Sequence, residues 1–417
     1  MFRACPAVDP PLPESASLKK STPGAGLIAI LVSISMIGPL SVHLFFPLMP
    51  LVKSDFGVPD ALVGLAFSLS LLVMSVVTLV YGSLSDRYGR RPVLITGLAL
   101  FCAGSALSAF APSFEVLLAG RVLQALGAGC GVTLSRAIAR DAYGSDSLVK
   151  VVAWLTAAYT LGPMLAPLIA GMLSDAFGWR FVVWLCLLTG GAILLAVWLN
   201  LSETRPESDL AAQSSNVWRN YGALLAMPRF NAYILSSGFS SGTFMCWATA
   251  SAFLMQDYLG RSATEFGLYF ALFPIGYMIG NIITSRLSRR VRIDTMVLVG
   301  CIGQMAVVLA LAAFVFLDMI NPVTIFVPGG LCTFFNGLAM PNAQAGAIRV
   351  RPALAGTAAG AGMFGQLFFG AAFAQFYVMI ADGTPGPLVV TTMVGAVFAL
   401  VTGVVPWMMS KRGDTGF

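Results

Sequence analysis

The sequence predicts an all-α integral membrane protein, with twelve transmembrane helices arranged as two pseudo-symmetric six-helix bundles. Three observations predict this fold class. Hydrophobic residues make up 58% of the 417 residues and charged residues only 10%, whereas soluble domains carry about 25% charged residues. The mean hydropathy is +0.85. Apolar segments long enough for the roughly 20 residues of a membrane-spanning helix recur along the whole chain.

The first half contains six of these apolar segments. A proline-rich stretch, residues 1–24, precedes them and is expected to form a disordered cytoplasmic tail. The segments are too long for strands and lack alternation of polar and apolar residues, so helices are predicted. We assign them to a first bundle over residues 25–201, with spans at 26–50, 61–84, 92–111, 115–139, 150–173 and 180–200.

A polar segment, residues 202–229, is predicted to be a cytoplasmic linker between two bundles. The second bundle is predicted over residues 230–410 and is followed by a short cytoplasmic tail, residues 411–417. Its spans fall at 230–256, 265–285, 294–317, 322–348, 355–381 and 387–409. A basic loop with Arg87, Arg90 and Arg91 recurs in the second half with Arg286, Arg289 and Arg290, which favours a duplicated bundle.

The distribution of basic residues predicts the orientation in the membrane. With the N-terminus placed inside, 20 of the 24 Lys and Arg residues fall in inner segments, and only Lys53, Arg180 and Arg261 fall outside. Basic residues concentrate on the cytoplasmic side of membrane proteins. We therefore expect a multi-pass membrane protein with both termini cytoplasmic. As separate expectations, we place the protein in the bacterial inner membrane and expect it to work as a monomer.

Several classes of function are excluded by what the sequence lacks. The single histidine, His43, and seven cysteines without a C-x-x-C pair give no metal site. The net charge of +6 comes from the ends of apolar segments, so no nucleic-acid partner is implied. No cofactor or ATP-binding motif is evident. We expect a transport protein rather than an enzyme.

Three motifs in the first half carry the functional prediction. The loop after span 2 reads Gly82-Ser-Leu-Ser-Asp86-Arg87-Tyr-Gly89-Arg90-Arg91. Span 4 carries Arg121-Val-Leu-Gln124-Ala125. Span 5 carries Gly162-Pro163-Met-Leu-Ala-Pro167-Leu-Ile-Ala170-Gly171.

These segments resemble motif A, the R-x-x-Q-G motif and the antiporter motif of the major facilitator superfamily. They are most similar to its twelve-span drug:proton antiporters, in particular the bicyclomycin and chloramphenicol exporter group. Ala125 and Ala170 stand where the family motifs carry glycine. The resemblance covers most of the first half, and the second half matches in span count and in its basic loop. It implies export of small lipophilic or amphipathic compounds by alternating access, in exchange for protons.

For motif A, the resemblance implies a conformational latch between the halves. Asp86 would lie near the start of span 11, at about Ala355, where the helix dipole favours an anion. The other latch residues would be Gly82, Arg87, Gly89, Arg90, Arg91, Arg140 and Asp141. In the antiporter motif, Gly162 and Pro163 are expected to kink span 5, either as a plain packing feature or as part of the cavity wall, together with Pro167 and Gly171.

His43 and Arg121 are the candidates for proton coupling. Arg121 lies about seven residues inside span 4, and charged residues at such depth are usually functional. His43 lies at a similar depth and can titrate near physiological pH, although a neutral, hydrogen-bonded histidine in the core is the alternative. No acidic residue lies deep within a predicted span. We therefore expect neutral or weakly anionic substrates.

The substrate cavity is expected to use aromatic, methionine and polar residues from several spans. The candidates are Phe46, Gln124, Tyr159, Phe244, Met245, Trp247, Phe273, Tyr277, Asn336 and Gln366. A dedicated exporter of a single metabolite is an alternative that the sequence does not separate from drug efflux. A non-transporting membrane sensor and a membrane enzyme are weaker alternatives.

Overall fold

The computed structural model of the chain describes residues 25–143, 145–205, 217–288 and 290–411. The regular secondary structure of these residues is helical. The predicted tails, up to residue 24 and from residue 412, lie outside the described residues, as does the central part of the predicted linker, residues 206–216.

The first half of the chain builds one group of helices around the predicted spans. Its helices are α1 (Ala25–His43), α2 (Met49–Phe56), α3 (Asp60–Tyr88), α4 (Arg90–Ala109), α5 (Phe114–Ala142), α6 (Ser145–Phe177) and α7 (Trp179–Asn200). A short 3-10 turn, Phe46–Leu48, joins α1 to α2. The predicted first span is therefore not one continuous helix. Pro47, which has no N–H to donate, stands at the start of the 3-10 turn.

The second half forms the corresponding group. It contains α9 (Pro228–Phe253), α10 (Ala263–Phe270), α11 (Leu272–Leu287), α12 (Ile293–Phe316), α13 (Pro322–Val350), α14 (Ala355–Ile380) and α15 (Gly386–Lys411), preceded by the short helix α8 (Val217–Leu225). The predicted span 265–285 is divided at Ala271, because Pro274 cannot donate the helical hydrogen bond to Phe270. The predicted polar linker also contains a helix, α8, which the sequence analysis did not predict.

Ten helical segments of the described residues are long and apolar enough to cross a membrane. Among them, α1 and α2 count together as Gly26–Phe56, and α10 and α11 together as Ala263–Leu287. The two remaining predicted spans correspond to α6 and α9. For α6, the apolar helix found is the shorter segment Gly162–Phe177, and α9 carries many serines, threonines and glycines. The fold is consistent with the twelve predicted spans.

Glycines allow α4 and α5 to pack with their backbones in contact. A Cβ on Gly104 would overlap the backbone N of Gln124, and a Cβ on Gly127 would overlap the backbone N of Phe101. This close approach also brings Ser105 beside Gln124, whose Nε2 donates to the Ser105 Oγ at 2.9 Å. The contact between α4 and α5 thus buries the polar side chains of Ser105 and Gln124 inside the apolar core of the first half.

The two halves meet through α3 with α14 and through α6 with α10. Polar contacts between them concentrate at one end of the molecule, which we call the closed end, formed by α2, the last turns of α6, the π-helical turn Leu254–Tyr258 that follows α9 and the start of α10. There the Lys53 Nζ lies 2.8 Å from the Asp257 Oδ2, and the Gln256 Nε2 donates to the Pro47 carbonyl at 3.1 Å. The opposite end carries most of the described arginines, and we call it the basic end.

Candidate functional site

A central cavity of about 160 Å³ lies between the two halves. His43, the last residue of α1, and Pro163 of α6 reach it from the first half. The remaining lining residues come from α9, α10, α11, α13 and α14: Ser241, Phe244, Met245, Phe270, Phe273, Pro274, Tyr277, Thr333, Asn336, Met340, Gln366 and Leu367. None of these described lining residues is Asp, Glu, Lys or Arg. The cavity is therefore apolar and uncharged, with a few polar groups.

Aromatic rings separate the cavity from the closed end. Phe270 packs against Phe273 at a ring-centroid distance of 4.9 Å. Phe46, from the 3-10 turn of the first half, packs against Phe270 at 5.5 Å and against Phe67 at 4.9 Å. Phe46 is fully buried. These rings form an apolar plug across both halves, which excludes water between the cavity and the closed end.

The structure brings together six of the ten residues predicted for the cavity. Phe244, Met245, Phe273, Tyr277, Asn336 and Gln366 line it. Phe46 lies in the aromatic plug instead, and Trp247 is buried behind the wall, with its Nε1 donating to the Ile325 carbonyl at 3.1 Å. Gln124 lies inside the first half beside Arg121. The side chain of Tyr159 lies outside the described residues.

The His43 side chain is held by its own helix. Its Nδ1 lies 2.8 Å from the Pro39 carbonyl oxygen. Its ring stands edge-on to Phe46 at a centroid distance of 5.6 Å. His43 is 7% exposed and lines the central cavity. The ring is therefore fixed at the point where the cavity meets the aromatic plug.

Arg121, the second candidate for proton coupling, does not line the central cavity that His43 lines. Its Nη1 donates to the Gln124 Oε1 at 2.5 Å and to the Ser41 carbonyl at 3.2 Å, and its guanidinium lies 4.2 Å from the centre of the Phe45 ring. Ser41 and Phe45 are four residues apart and share a face of the chain, whereas His43, two residues from each, points elsewhere. Arg121 is buried, and no described carboxylate lies within salt-bridge distance of it.

A buried charge cluster surrounds Arg90 at the basic end. Arg90 is 2% exposed and pairs through its Nε with the Asp141 Oδ2 at 2.8 Å and through its Nη1 with the Asp86 Oδ1 at 2.5 Å. Its Nη1 also donates to the Ser85 Oγ at 2.7 Å. Arg140, which is largely exposed, lies 3.5 Å from the Asp141 carboxylate. The side chain of Asp141 is 4% exposed and that of Asp86 is 47% exposed, so Asp141 is the principal counter-ion of Arg90.

The cluster lies within the first half, and Asp86 pairs with Arg90 rather than with the start of α14. The surroundings of Gly356, in the first turn of α14, are open, since a Cβ there would meet nothing within 4 Å. Of the other motif A residues, Arg87 lies over the Tyr88 ring at 5.3 Å. Gly82 has room for a side chain, because a Cβ there would lie 4.0 Å from Thr133.

Glu203, which the sequence analysis did not single out, completes this cluster from the segment after α7. Its Oε1 accepts from the backbone N–H of Arg90 at 2.8 Å, and its Oε2 accepts from that of Arg91 at 3.1 Å. It therefore caps the N-terminus of α4, where a negative charge is favourable. Partial burial raises the pKa of Glu203, but backbone N–H donors, including those of Thr204 and Arg205, outweigh burial and hold the pKa below its ordinary value.

The antiporter motif lies where α6 faces its neighbours. Pro163 lines the cavity, and a Cβ on Gly162 would make ordinary contact with Pro39 of α1 at 3.5 Å. A Cβ on Gly171 would overlap the carbonyl oxygen of Ala263, and a Cβ on Gly267 would lie 2.7 Å from the carbonyl oxygen of Pro167. The motif therefore lets the backbones of α6 and α10 touch across the two halves. The helix α6 continues through both of its prolines.

Next to these glycines, Asp175 joins the halves by capping a helix. Its Oδ2 accepts from the backbone N–H of Thr264 at 2.8 Å, and its Oδ1 accepts from that of Ala263 at 3.3 Å. Thr264 and Ala263 form the first turn of α10. A carboxylate of the first half thus satisfies free donors at the start of a helix of the second half.

The second half has its own charge cluster at the basic end. Asp294, at the start of α12, pairs with the Arg229 Nη2 at 3.1 Å and accepts a hydrogen bond from the Tyr233 hydroxyl. Asp294 is 4% exposed. The sequence analysis placed Asp294 near a span end without assigning it a partner. Arg289, part of the predicted repeat of the basic loop, lies outside the described residues.

The family model described as Major Facilitator Superfamily matches residues 31–375. The chain belongs to the major facilitator superfamily. Its members are membrane transporters, and the helical fold and the three motifs of the first half agree with this assignment. The prediction of the superfamily from these motifs is therefore confirmed.

Two curated relatives within the major facilitator superfamily show how far the likeness extends. The MFS-type transporter YdgK of Bacillus subtilis is 29% identical over 263 residues, which cover 62% of this chain and 65% of YdgK. Multidrug resistance protein D of Escherichia coli is 28% identical over 334 residues, which cover 80% of this chain and 83% of that protein. The chain thus spans just under two thirds of YdgK.

The fold agrees with that of a solved bacterial structure. A bacterial homologue of the human lysosomal transporter Spinster, in an inward-facing and unoccupied conformation, has a TM-score of 0.70 with this chain. The two chains are 16% identical, and the match covers 92% of this chain and 94% of the other. At this identity the match shows a common fold.

Proposed function

We propose that the chain exports small lipophilic or amphipathic compounds by alternating access, in exchange for protons. The observation that carries the proposal is an apolar, uncharged cavity between two helical halves, shut on one side by contacts between those halves. Secondary transporters commonly bind substrate between two repeats near the middle of the bilayer. The likeness to multidrug resistance protein D supports drug efflux as the use of this cavity.

We further propose that the closed end faces the outside and that both termini face the cytoplasm. The excess of Lys and Arg at the basic end supports this orientation. The chain would then be an inward-facing transporter of the bacterial inner membrane that functions as a monomer. The two bundles, residues 25–201 and 230–410, would move as units about the cavity, with residues 202–229 as a cytoplasmic linker.

His43 is the residue through which we propose that protons couple to transport. It is the ionisable side chain that the first half contributes to the cavity, and it lies against the aromatic plug that both halves share. Arg121 would act indirectly, because it holds the Ser41 carbonyl and the Phe45 ring on either side of His43 in the sequence. Motif A would serve as the latch that sets the balance between the two conformations.

The proposal is tested by transport in proteoliposomes with an imposed pH gradient and a panel of lipophilic drugs. Wild-type protein should accumulate at least one compound in response to the gradient. His43→Ala should abolish this proton-driven accumulation while binding persists. Ser35→Ala, a substitution at another buried site on α1, is the matched control and should transport like the wild type. Unchanged flux and unchanged pH dependence in His43→Ala would remove His43 from the mechanism.

A dedicated exporter of one metabolite is the second candidate function. The cavity volume of about 160 Å³ favours it, because sites for drug-sized ligands usually enclose roughly 300–1,000 Å³. A toxicity panel in an efflux-deficient bacterial host separates the two functions. Protection against several unrelated drugs supports polyspecific efflux, whereas protection against none favours the dedicated exporter.

A further inference from the structure

Asn336 brings an unoccupied hydrogen-bond acceptor to the cavity from the second half. Its Nδ2 lies 3.4 Å from the Ser240 carbonyl oxygen. Since a carbonyl can only accept, the amide nitrogen must face Ser240, and the Oδ1 is turned away from it. The Oδ1 is buried and has no hydrogen-bond partner among the described residues, and the side chain lines the cavity. A buried acceptor in this position calls for a donor from elsewhere.

His43 brings a second acceptor from the first half. The Pro39 carbonyl accepts from the Nδ1, so this nitrogen carries the hydrogen. In a neutral ring, the Nε2 then has no hydrogen and can only accept. No described residue donates to the Nε2. The two halves therefore each present one acceptor to the same enclosed space.

Two hydroxyl groups on the cavity wall, those of Thr333 and Ser241, are already engaged as donors. The Thr333 Oγ1 donates to the carbonyl oxygens of Phe273 and Gly330, at 2.7 and 2.8 Å. The Ser241 Oγ donates to the Gln366 carbonyl at 3.0 Å. With these two hydroxyl donors used and no Lys or Arg among the described lining residues, the wall has no fixed positive charge to bind an anion, and the Asn336 Oδ1 and the His43 Nε2 are left as acceptors for a ligand.

We propose that the cavity selects small neutral ring compounds that carry a hydroxyl or amide N–H donor. The donor is bound by the Asn336 Oδ1 and the His43 Nε2, and the ring packs against Phe244, Phe273 and Met340. This inference rests on the proposed function, since it takes the cavity as the site of the transported compound. It narrows the substrate class from neutral or weakly anionic compounds to neutral hydrogen-bond donors.

The test measures binding of 2-naphthol and of 2-methoxynaphthalene, which has the same rings without the donor. The full chain is reconstituted in nanodiscs, and binding to empty nanodiscs is subtracted. Wild-type protein should bind 2-naphthol about tenfold more tightly, the effect expected of one buried hydrogen bond. The anion 2-naphthoate should bind more weakly than either. Equal affinity for the first two compounds, or tightest binding of 2-naphthoate, would overturn the proposal.

Variants at Asn336 and His43 test whether these two acceptors cause the preference for 2-naphthol over 2-methoxynaphthalene. Asn336→Leu and His43→Leu should bring the affinity ratio close to one, while 2-methoxynaphthalene still binds. Thr392→Val is the matched control, because Thr392 is a buried residue of the second half that donates to the Leu388 carbonyl of its own helix and does not line the cavity, and it should keep the wild-type ratio. A ratio unaffected by either acceptor variant would contradict the assignment, and the wild-type comparison of the two ligands stands even if a variant fails to fold.

Transport and binding can fail separately. Proton-driven transport of any compound combined with a naphthol ratio of one leaves the proposed function intact and overturns the inference. A clear naphthol preference without transport in proteoliposomes supports the inference on ligand class and rejects the exporter.

Discussion

Gly89 is the residue on which the geometry of motif A depends. It adopts a φ of +99°, which L side chains rarely tolerate. A Cβ at this position would lie 2.7 Å from the Glu203 Oε2. The glycine therefore serves two purposes, because it allows the turn between α3 and α4 and leaves room for the carboxylate that caps α4.

Gly89→Ala should destabilise the protein by more than backbone strain alone. The matched control is Gly178→Ala, since Gly178 also has a positive φ, +82°, but a Cβ there meets nothing within 4 Å. The control Gly178→Ala should lower the free energy of unfolding by about 1–2 kcal/mol. Gly89→Ala should lower the free energy of unfolding by about 1–3 kcal/mol more than the control does, because it displaces the Glu203 carboxylate that caps α4. Thermal unfolding in detergent measures both, and equal losses would show that the cap contributes nothing.

Glu203→Gln should make the stability of the protein less dependent on pH in the acidic range. The pKa of Glu203 is lowered in the folded protein, so its ionisation stabilises the fold above its ordinary pKa of 4.5. This contribution disappears as the pH falls below 4.5 and through the lowered pKa. We expect the difference in unfolding midpoint between Glu203→Gln and wild type to be largest at neutral pH and to shrink on acidification. A difference independent of pH would contradict this account.

The sequence predicted residues whose role follows from local spacing, and it missed residues whose role follows from distant partners. Asp86 and Arg90 are four positions apart, and the motif A resemblance placed both in one latch cluster. Glu203 reaches Arg90 across 113 positions, and Asp294 reaches Arg229 across 65. Nothing in the composition around Glu203 or Asp294 indicates these partners, because the fold alone brings them together.

At the scale of elements, α6 and α10 meet across the two halves with their backbones in contact. Gly171 lets the α6 backbone touch the Ala263 carbonyl of α10. Gly267 lets the α10 backbone touch the Pro167 carbonyl of α6. Asp175 caps the first turn of α10 beside this contact. Helices whose backbones touch have no space for a side chain at the contact. Adding even one methyl group at such a glycine therefore pushes the two helices apart.

Gly171→Ala should loosen the closed end and populate the opposite conformation. The matched control is Gly191→Ala in α7, where a Cβ would meet nothing within 4 Å. Spin labels at positions 54 and 258, one on each half at the closed end, report the separation by pulsed electron paramagnetic resonance. We expect a longer-distance population in Gly171→Ala and none in the control. Identical distance distributions in the two variants would exclude the glycine contact as a determinant of closure.

The sequence predicted where helices occur better than where they break. The apolar segments matched the helices because hydropathy and length are local properties. The divisions at Phe46–Leu48 and at Ala271 were missed, although Pro47 and Pro274 were visible in the sequence. A proline is compatible with a continuous helix, as Pro163 in α6 shows, so its effect depends on the packing around it.

At the scale of the whole molecule, the basic end holds two separate charge clusters and the closed end holds the contacts between halves. Arg90 with Asp141 lies wholly in the first half, and Arg229 with Asp294 lies wholly in the second. The halves are therefore free to separate at the basic end without breaking either ion pair. The sequence predicted the two halves from repeats and span count, whereas the side that is shut depends on long-range packing that no local pattern encodes.

Asp86→Asn and Asp141→Asn should have different effects, because only one of the two carboxylates is buried. Asp141→Asn leaves the buried Arg90 without its main counter-ion and should cost roughly 3 kcal/mol of stability. Asp86 is half exposed, so Asp86→Asn should cost less than about 1 kcal/mol. We nevertheless expect Asp86→Asn to lower transport in proteoliposomes at normal expression. Wild-type transport rates in Asp86→Asn would reject the latch role.

The polar character of α9 has a consequence for how the protein is made. The Ser240 hydroxyl donates to Gln304 of α12 and the Ser241 hydroxyl donates to the Gln366 carbonyl of α14, so these two groups reach their partners only once α12 and α14 are in place. A nascent α9 leaving the ribosome meets lipid before these partners exist. We therefore expect α9 to be held stably in the bilayer only together with the helices that follow it, so that the second half integrates as a group.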